Sequence, residues 1–202
     1  MYIARILYPV KVLGPGKRIG IWFDGCNHHC VGCSNPELWE SQEKYHTKLE
    51  TVMDMLAGVI RNNDVDGFTL TGGDPLEQPE ALRELLPEIS MYTDDIILYT
   101  GYKYEEVQEK YDDILKFVAV LVDGPYIESR NKEELLRGST NQRILILNDK
   151  YKAVYEKYLK ESPSEVQNFT SPTGVISVGI HRPGYIEELD SFLITKGLKK
   201  DE

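Results

Sequence analysis

At 202 residues the chain is long enough for one domain with a full core, and its 41% hydrophobic and 28% charged content is that of a soluble globular protein. No apolar run approaches the roughly 20 residues of a membrane span, and a formal charge of −10 offers no broad basic surface for nonspecific nucleic-acid binding. Met1 to Arg5 carries no signal-peptide pattern, so a cytoplasmic location is expected, and an odd cysteine count speaks against a disulfide framework.

In chain order, strands alternate with helices, the pattern of a mainly parallel sheet. Gly14-Pro15-Gly16 reads as a turn into a first strand, Arg18 to Phe23, which runs straight into a cysteine loop. Arg18 is read either as a salt-bridge partner near the site or as a solvated arginine. Thr47 is the expected cap of a helix with Leu49, Val52, Met53, Leu56 and Ile60 at helical spacing. A second strand, Gly67 to Thr71, ends at Gly72-Gly73-Asp74-Pro75. Pro79 then suits the first turn of a helix carrying Leu82, Leu85, Leu86 and Ile89. Asp95 to Thr100 is the third strand, Tyr104 to Tyr111 a short polar helix, and Phe117 to Val122 a strand apolar enough for burial on both faces. It ends at Asp123-Gly124-Pro125. Arg137-Gly138-Ser139 reads equally as a contact to a protein substrate or as a cap. Arg143 to Leu147 is expected to be a fifth strand of the same type, followed by a helix from Asp149 to Lys160. Glu161 to Glu165 reads as a linker, Pro172 to Gly174 as a turn, Thr173 to Ile180 as a strand, Ile186 to Ile194 as a closing helix, and Lys199 to Glu202 as a frayed end. The expected organisation is therefore a partial (β/α) barrel over residues 1–160 with a strand/helix extension over 161–202.

The special residues fall in a regular place. The cysteines, the Gly-Gly-Asp-Pro loop, Thr100-Gly101 and Asp123-Gly124 all follow the carboxyl ends of predicted strands. In a parallel α/β sheet those ends share the face where ligands bind.

Cys26, Cys30 and Cys33 are the only cysteines, and they lie within eight residues as C-x3-C-x2-C. Three buried structural cysteines are hard to fit in a stretch that also holds Gly25, Gly32 and Pro36. A zinc site with His28 or His29 as fourth ligand is an alternative, although no second knuckle is present. A 4Fe–4S cluster held by three thiolates is the preferred reading, because it leaves one iron open to bind a substrate. His28 and His29 are then loop or surface residues.

The Cys26 to Cys33 string resembles the signature of the radical S-adenosylmethionine (SAM) superfamily. Tyr8-Pro9-Val10, Gly14 to Arg18 and Gly25-Cys26 resemble the start of the activating proteins of anaerobic ribonucleoside-triphosphate reductase. Thr71 to Leu76, Tyr99 to Tyr102, Leu121 to Gly124 and Arg137 to Gln142 continue the likeness in order over residues 6–147, about seven-tenths of the chain. Asp24, just before the loop, departs from the neutral residue more usual there, and the segment from Glu161 onward departs from the compact pattern.

The resemblance implies two cofactors, a 4Fe–4S cluster on Cys26, Cys30 and Cys33, and SAM chelated by the open iron. Reductive cleavage of SAM would give a 5′-deoxyadenosyl radical that abstracts hydrogen from an unreactive C–H. Gly72 and Gly73, with Asp74 nearby, would receive the methionyl ammonium. Gly32 and Ser34 would contact the nucleoside through backbone, and Thr100 and Asp123 are candidates for the carboxylate and ribose ends. The implied function is a glycyl-radical activase acting on a protein substrate, anaerobic ribonucleotide reductase or another glycyl radical enzyme. Without extra cysteines the electrons would come from an external donor such as flavodoxin or ferredoxin. A radical SAM enzyme modifying a peptide or small metabolite is the second reading, with Asn168 to Tyr185 as a lid or docking hairpin. A noncatalytic iron–sulfur or zinc-binding interaction protein is the third.

Overall fold

The protein is described here from a computed structural model, which places residues 1–171 and 174–197. The readings of Pro172 and Thr173 and of the frayed end at 199–202 fall outside these residues. A six-stranded sheet runs in the order β1 (Ile3–Val10), β2 (Arg18–Phe23), β3 (Gly67–Gly72), β4 (Ile96–Tyr99), β5 (Val120–Asp123) and β6 (Arg143–Ile146). From β2 to β5 the strands are parallel. The crossovers are α1 (Leu49–Ile60), α2 (Pro79–Ser90) and α3 (Tyr104–Leu115). The expected α/β fold with a mainly parallel sheet is present, as an open six-stranded sheet.

Alternation along the strands sorts the core. Ile19, Ile21, Phe23, Phe68, Leu70, Ile96 and Leu98 pack with Val52 and Leu56 of α1, the leucines of α2, and Val107 and Ile114 of α3. The residues between them belong to two smaller clusters. Trp22 packs with Val10, Leu13, Leu38 and Val178, while Ile97, Val120 and Val122 pack with Leu136 and Tyr155. Tyr155 comes from α4 (Lys152–Glu161), and Val178 from the antiparallel pair β7 (Val166–Ser171) and β8 (Gly174–Gly179), which precedes α5 (Tyr185–Thr195). α4 and the β7–β8 hairpin therefore pack against the side of the sheet opposite α1 to α3.

Several elements differ from expectation. β1 was not foreseen; Pro9 lies within it, and an antiparallel edge partner of β2 is where a strand tolerates proline. β6 runs antiparallel to β5 and is only partly buried, not the doubly buried strand expected. A parallel return needs a crossover, usually a helix, and residues 124–142 hold only a three-residue 3-10 turn, Glu128–Arg130. Thr47 does not cap α1; Lys48 holds the cap position, and Thr47 is engaged through its backbone N–H with Met1 O at 2.9 Å. α3 continues past Tyr111, which departs from helical geometry, to Leu115. β7 begins directly after the expected linker.

Arg18 is neither solvated nor near the site. It is fully buried, donating from Nη1 to Asp95 Oδ2 at 3.0 Å and from Nε to Thr69 Oγ1 at 2.8 Å, and Tyr155 O–H donates to Asp95 Oδ1 at 2.5 Å. Arg18 pairs in register with Gly67 at the start of β3, so this network closes the end of the sheet away from the cysteines.

Candidate functional site

Beyond the carboxyl ends of the parallel strands lies an open cleft, whose empty space with the solvent at its mouth is about 1080 Å³. β2 leads into the cysteine loop, which contributes Cys26, His28, Cys30, Cys33 and Ser34; the end of β3 contributes Gly72, Gly73 and Asp74. Tyr99, Thr100 and Gly101 follow from β4, and Gly124, Tyr126, Asn131 and Gln142 from the loop after β5. The fourth wall is the C-terminal hairpin, through Ser177 to His181.

Backbone bonds fix the cysteine loop. Gly25 N–H donates to Leu38 O and Cys26 N–H to Trp39 O, both at 2.9 Å. Gly73 N–H donates to Phe23 O at 2.8 Å and Asp74 N–H to Gly25 O at 2.9 Å, laying the glycine turn directly on the loop. A side chain at Gly73 would strike Gly25 O and approach Leu38 O to 3.0 Å; one at Gly72, where φ is +113°, would strike Phe23 O. Both glycines are thus required by the contact between two loops.

Asp74 is the hub. Almost fully buried, its Oδ2 accepts from Thr100 Oγ1 at 2.9 Å, Gly101 N–H at 2.8 Å and His28 Nε2 at 2.9 Å, while Oδ1 accepts from Leu76 N–H at 3.0 Å. One carboxylate therefore fastens the loops after β2, β3 and β4 together. Nε2 is the donor, since a carboxylate oxygen only accepts. The Asp74 bond holds His28 above the ordinary imidazole pKa against the opposing effect of burial. The His28 ring also meets Tyr102 edge-on at 4.6 Å, and Tyr102 O–H donates to Glu77 at 2.7 Å. His28 is a structural member of the site, which its place in a loop did not announce.

Other expected site residues lie differently. Asp123 is buried but outside the cleft lining; it accepts from Tyr104 N–H at 2.6 Å and from Arg143 Nε at 3.0 Å. Gly32 is exposed, beside Glu128, and also outside the lining. Asp24 is fully buried; its Oδ2 accepts from Gln42 N–H at 2.6 Å, and burial raises its pKa. Residues that sequence reasoning missed are Trp39 and Tyr99 on the inner wall, Asn131 and Gln142, and the hairpin face. Two of them carried a signal: Tyr99 is the last residue of a strand at the ligand-binding end, and Gln142 closes the Arg137 to Gln142 block of the family likeness.

Among the described residues no three ligand side chains close on a single metal ion, but the chemistry of the donor set, three thiols on one short loop, suits a multi-iron 4Fe–4S group. All three thiols are free and line one cleft. Burial pushes Cys26 up to about 11 and raises Cys33, so metal must displace both protons on binding. The buried Trp39 indole N–H has no hydrogen-bond partner among the described residues, while Asn35 N–H donates to Cys33 Sγ at 3.4 Å. Such N–H groups suit a ligating sulfur. In the metal-free protein, alkylation of Cys26 is expected to be slow near neutrality and to rise about tenfold per pH unit toward that raised value. Peptide mass spectrometry across alkaline pH checks this, and a plateau below about pH 9 would contradict it.

Residues 12–145 match a family profile described as a 4Fe-4S single cluster domain, which places the chain among iron–sulfur proteins. The anaerobic ribonucleoside-triphosphate reductase-activating protein of Enterobacteria phage T4 is 37% identical over 144 residues, covering 68% of this chain and 90% of its own. The protein of the same name from Vibrio cholerae is 32% identical over 145 residues, covering 68% and 93%. The chain belongs to the family of anaerobic ribonucleoside-triphosphate reductase-activating proteins. A solved structure, QueE from Escherichia coli, aligns at 21% identity with a TM-score of 0.41, over 50% of this chain and 52% of that one.

Proposed function

We propose that this protein is a radical SAM activase that installs a glycyl radical on anaerobic ribonucleotide reductase. The observation that carries the reading is the convergence of three free thiols with a glycine turn on one cleft in a chain of this family. Cys26, Cys30 and Cys33 would hold the 4Fe–4S cluster. When bound, the cluster supplies an open iron that chelates the amino and carboxylate groups of SAM and the electron that cleaves its S–C5′ bond. The Gly72 and Gly73 carbonyls would receive the methionyl ammonium, and Ser34 backbone would face the nucleoside. Asp74 and Thr100 act by holding those loops, since the Asp74 carboxylate already accepts four hydrogen bonds from the protein. Asp123 and Gly32, outside the lining, take no ligand contact in this reading. Residues 1–160 form the radical SAM unit and 161–202 an extension that walls its cleft. An external flavodoxin or ferredoxin would supply the electron, in the cytoplasm. Among the described residues no helix is long and apolar enough to cross a membrane.

The test is an EPR spectrum of anaerobic ribonucleotide reductase after incubation with the cluster-loaded protein, SAM and a strong reductant. A glycyl radical that forms only when all are present is expected. SAM cleavage without any radical on the reductase would move the assignment to the peptide- or metabolite-modifying reading.

A further inference from the structure

The matched family region ends at residue 145, yet the cleft is lined from beyond it by Ser177, Val178, Gly179, Ile180 and His181. The hairpin that carries them is seated firmly. Val178 is 2% exposed in a cluster with Val10, Leu13 and Trp22. At the hairpin's other strand, Gln167 Nε2 donates to Pro9 O at 2.8 Å, and its Oε1 accepts from Lys11 N–H at 3.0 Å. Where the chain leaves β8, His181 sits at a three-way junction. The residue is 8% exposed, and its ring stacks on Tyr185 at 5.1 Å. Nε2 lies 2.9 Å from Ser177 Oγ within the hairpin, and Nδ1 lies 3.4 Å from Ser34 Oγ, on the residue after Cys33. Its carbonyl accepts from Asn131 Nδ2 at 2.7 Å, and Asn131 also donates to Tyr126 O–H at 3.2 Å, both in the loop after β5.

We propose that His181 is a positioning residue of this site, tying the C-terminal hairpin to Ser34 and to Asn131 so that the hairpin becomes a fixed wall of the cleft and steadies the Cys33 end of the cysteine loop. The proposal deepens the activase reading and rests on it. A histidine that merely filled the core would leave the loop alone. This one connects with it through a side-chain nitrogen across 147 residues of sequence.

Amide hydrogen exchange of residues 26–35 in the cluster-loaded protein, together with the KM for SAM and the EPR change on adding SAM, tests the assignment. His181→Ala is expected to speed exchange of that segment and to raise KM by roughly three- to tenfold, the effect of losing one hydrogen bond of ordinary net strength. The kcat should hardly move. His181→Asn, whose amide reaches the position of Nδ1, is expected to recover most of the loss. Ser34→Ala cuts the same bond from the other side, so it should reproduce the phenotype, and the double variant should be no worse than either single one. Unchanged exchange in both single variants, or effects that simply add, would overturn the proposal. If His181→Ala folds poorly, Ser34→Ala decides alone. Wild-type protein that carries its cluster but does not cleave SAM would refute the activase reading, while the exchange result would still decide the junction.

Discussion

Replacing Asp74 by alanine is expected to cost about 3–5 kcal/mol of unfolding free energy in the metal-free protein and to abolish SAM cleavage after cluster loading. The reasoning is an account of stranded donors. Leu76 N–H, Gly101 N–H and Thr100 Oγ1 all donate to this carboxylate, along with His28 Nε2, and Asp74, Thr100 and Leu76 are buried. Each buried donor left without an acceptor costs about 1–3 kcal/mol, reduced where the loops relax or water enters. Asp74→Asn keeps one acceptor oxygen, either for Leu76 N–H or for the three donors on Oδ2, and turns an NH2 toward the other side, so it should fall between alanine and wild type. Denaturant unfolding measures the loss. A change below about 1 kcal/mol would show that Asp74 serves a ligand and not the three loops.

Gly73→Ala is expected to destabilise by about 2–4 kcal/mol and to lower the iron bound on reconstitution. The added methyl group falls on the Gly25 carbonyl and presses toward that of Leu38, and both obstacles are backbone. Relief requires separating the glycine turn from the cysteine loop, which breaks the Asp74 N–H bond to Gly25 O. Gly58 in α1 supplies the contrast, because a Cβ there meets nothing within 4 Å. Gly58→Ala should therefore be neutral or stabilising by up to about 1 kcal/mol. Iron content and unfolding midpoint of the two variants, measured side by side, separate a general glycine effect from the loop contact.

The parallel strands were legible because each is a short apolar run closed at or within two residues of its end by glycine or aspartate, and their carboxyl ends mark the cleft. What escaped was set by partners distant in sequence. The direction of β6 is written in the helix-poor connection before it, not in Arg143 to Ile146, whose apolar pattern suits either direction. β1 is an edge strand with an internal proline, and its pairing with β2 supplies the order that its own residues do not. Asp123 sits at a strand end like its fellows, but Arg143 on the neighbouring antiparallel strand and Tyr104 N–H claim its carboxylate. Asp74 was legible as a site residue, whereas its duty toward the loops depends on Thr100, Gly101 and His28 coming together. His181 carried no signal, since nothing in its neighbourhood of sequence refers to Ser34.

The central claim is that the three thiols and the glycine turn make a site for reductive SAM cleavage. Anaerobic reconstitution with iron and sulfide, followed by addition of SAM and a strong reductant, tests it by the 5′-deoxyadenosine formed. The account predicts product from the wild-type protein and none from Cys30→Ala. An intact cluster by spectroscopy with no 5′-deoxyadenosine, or equal product from Cys30→Ala, would contradict it.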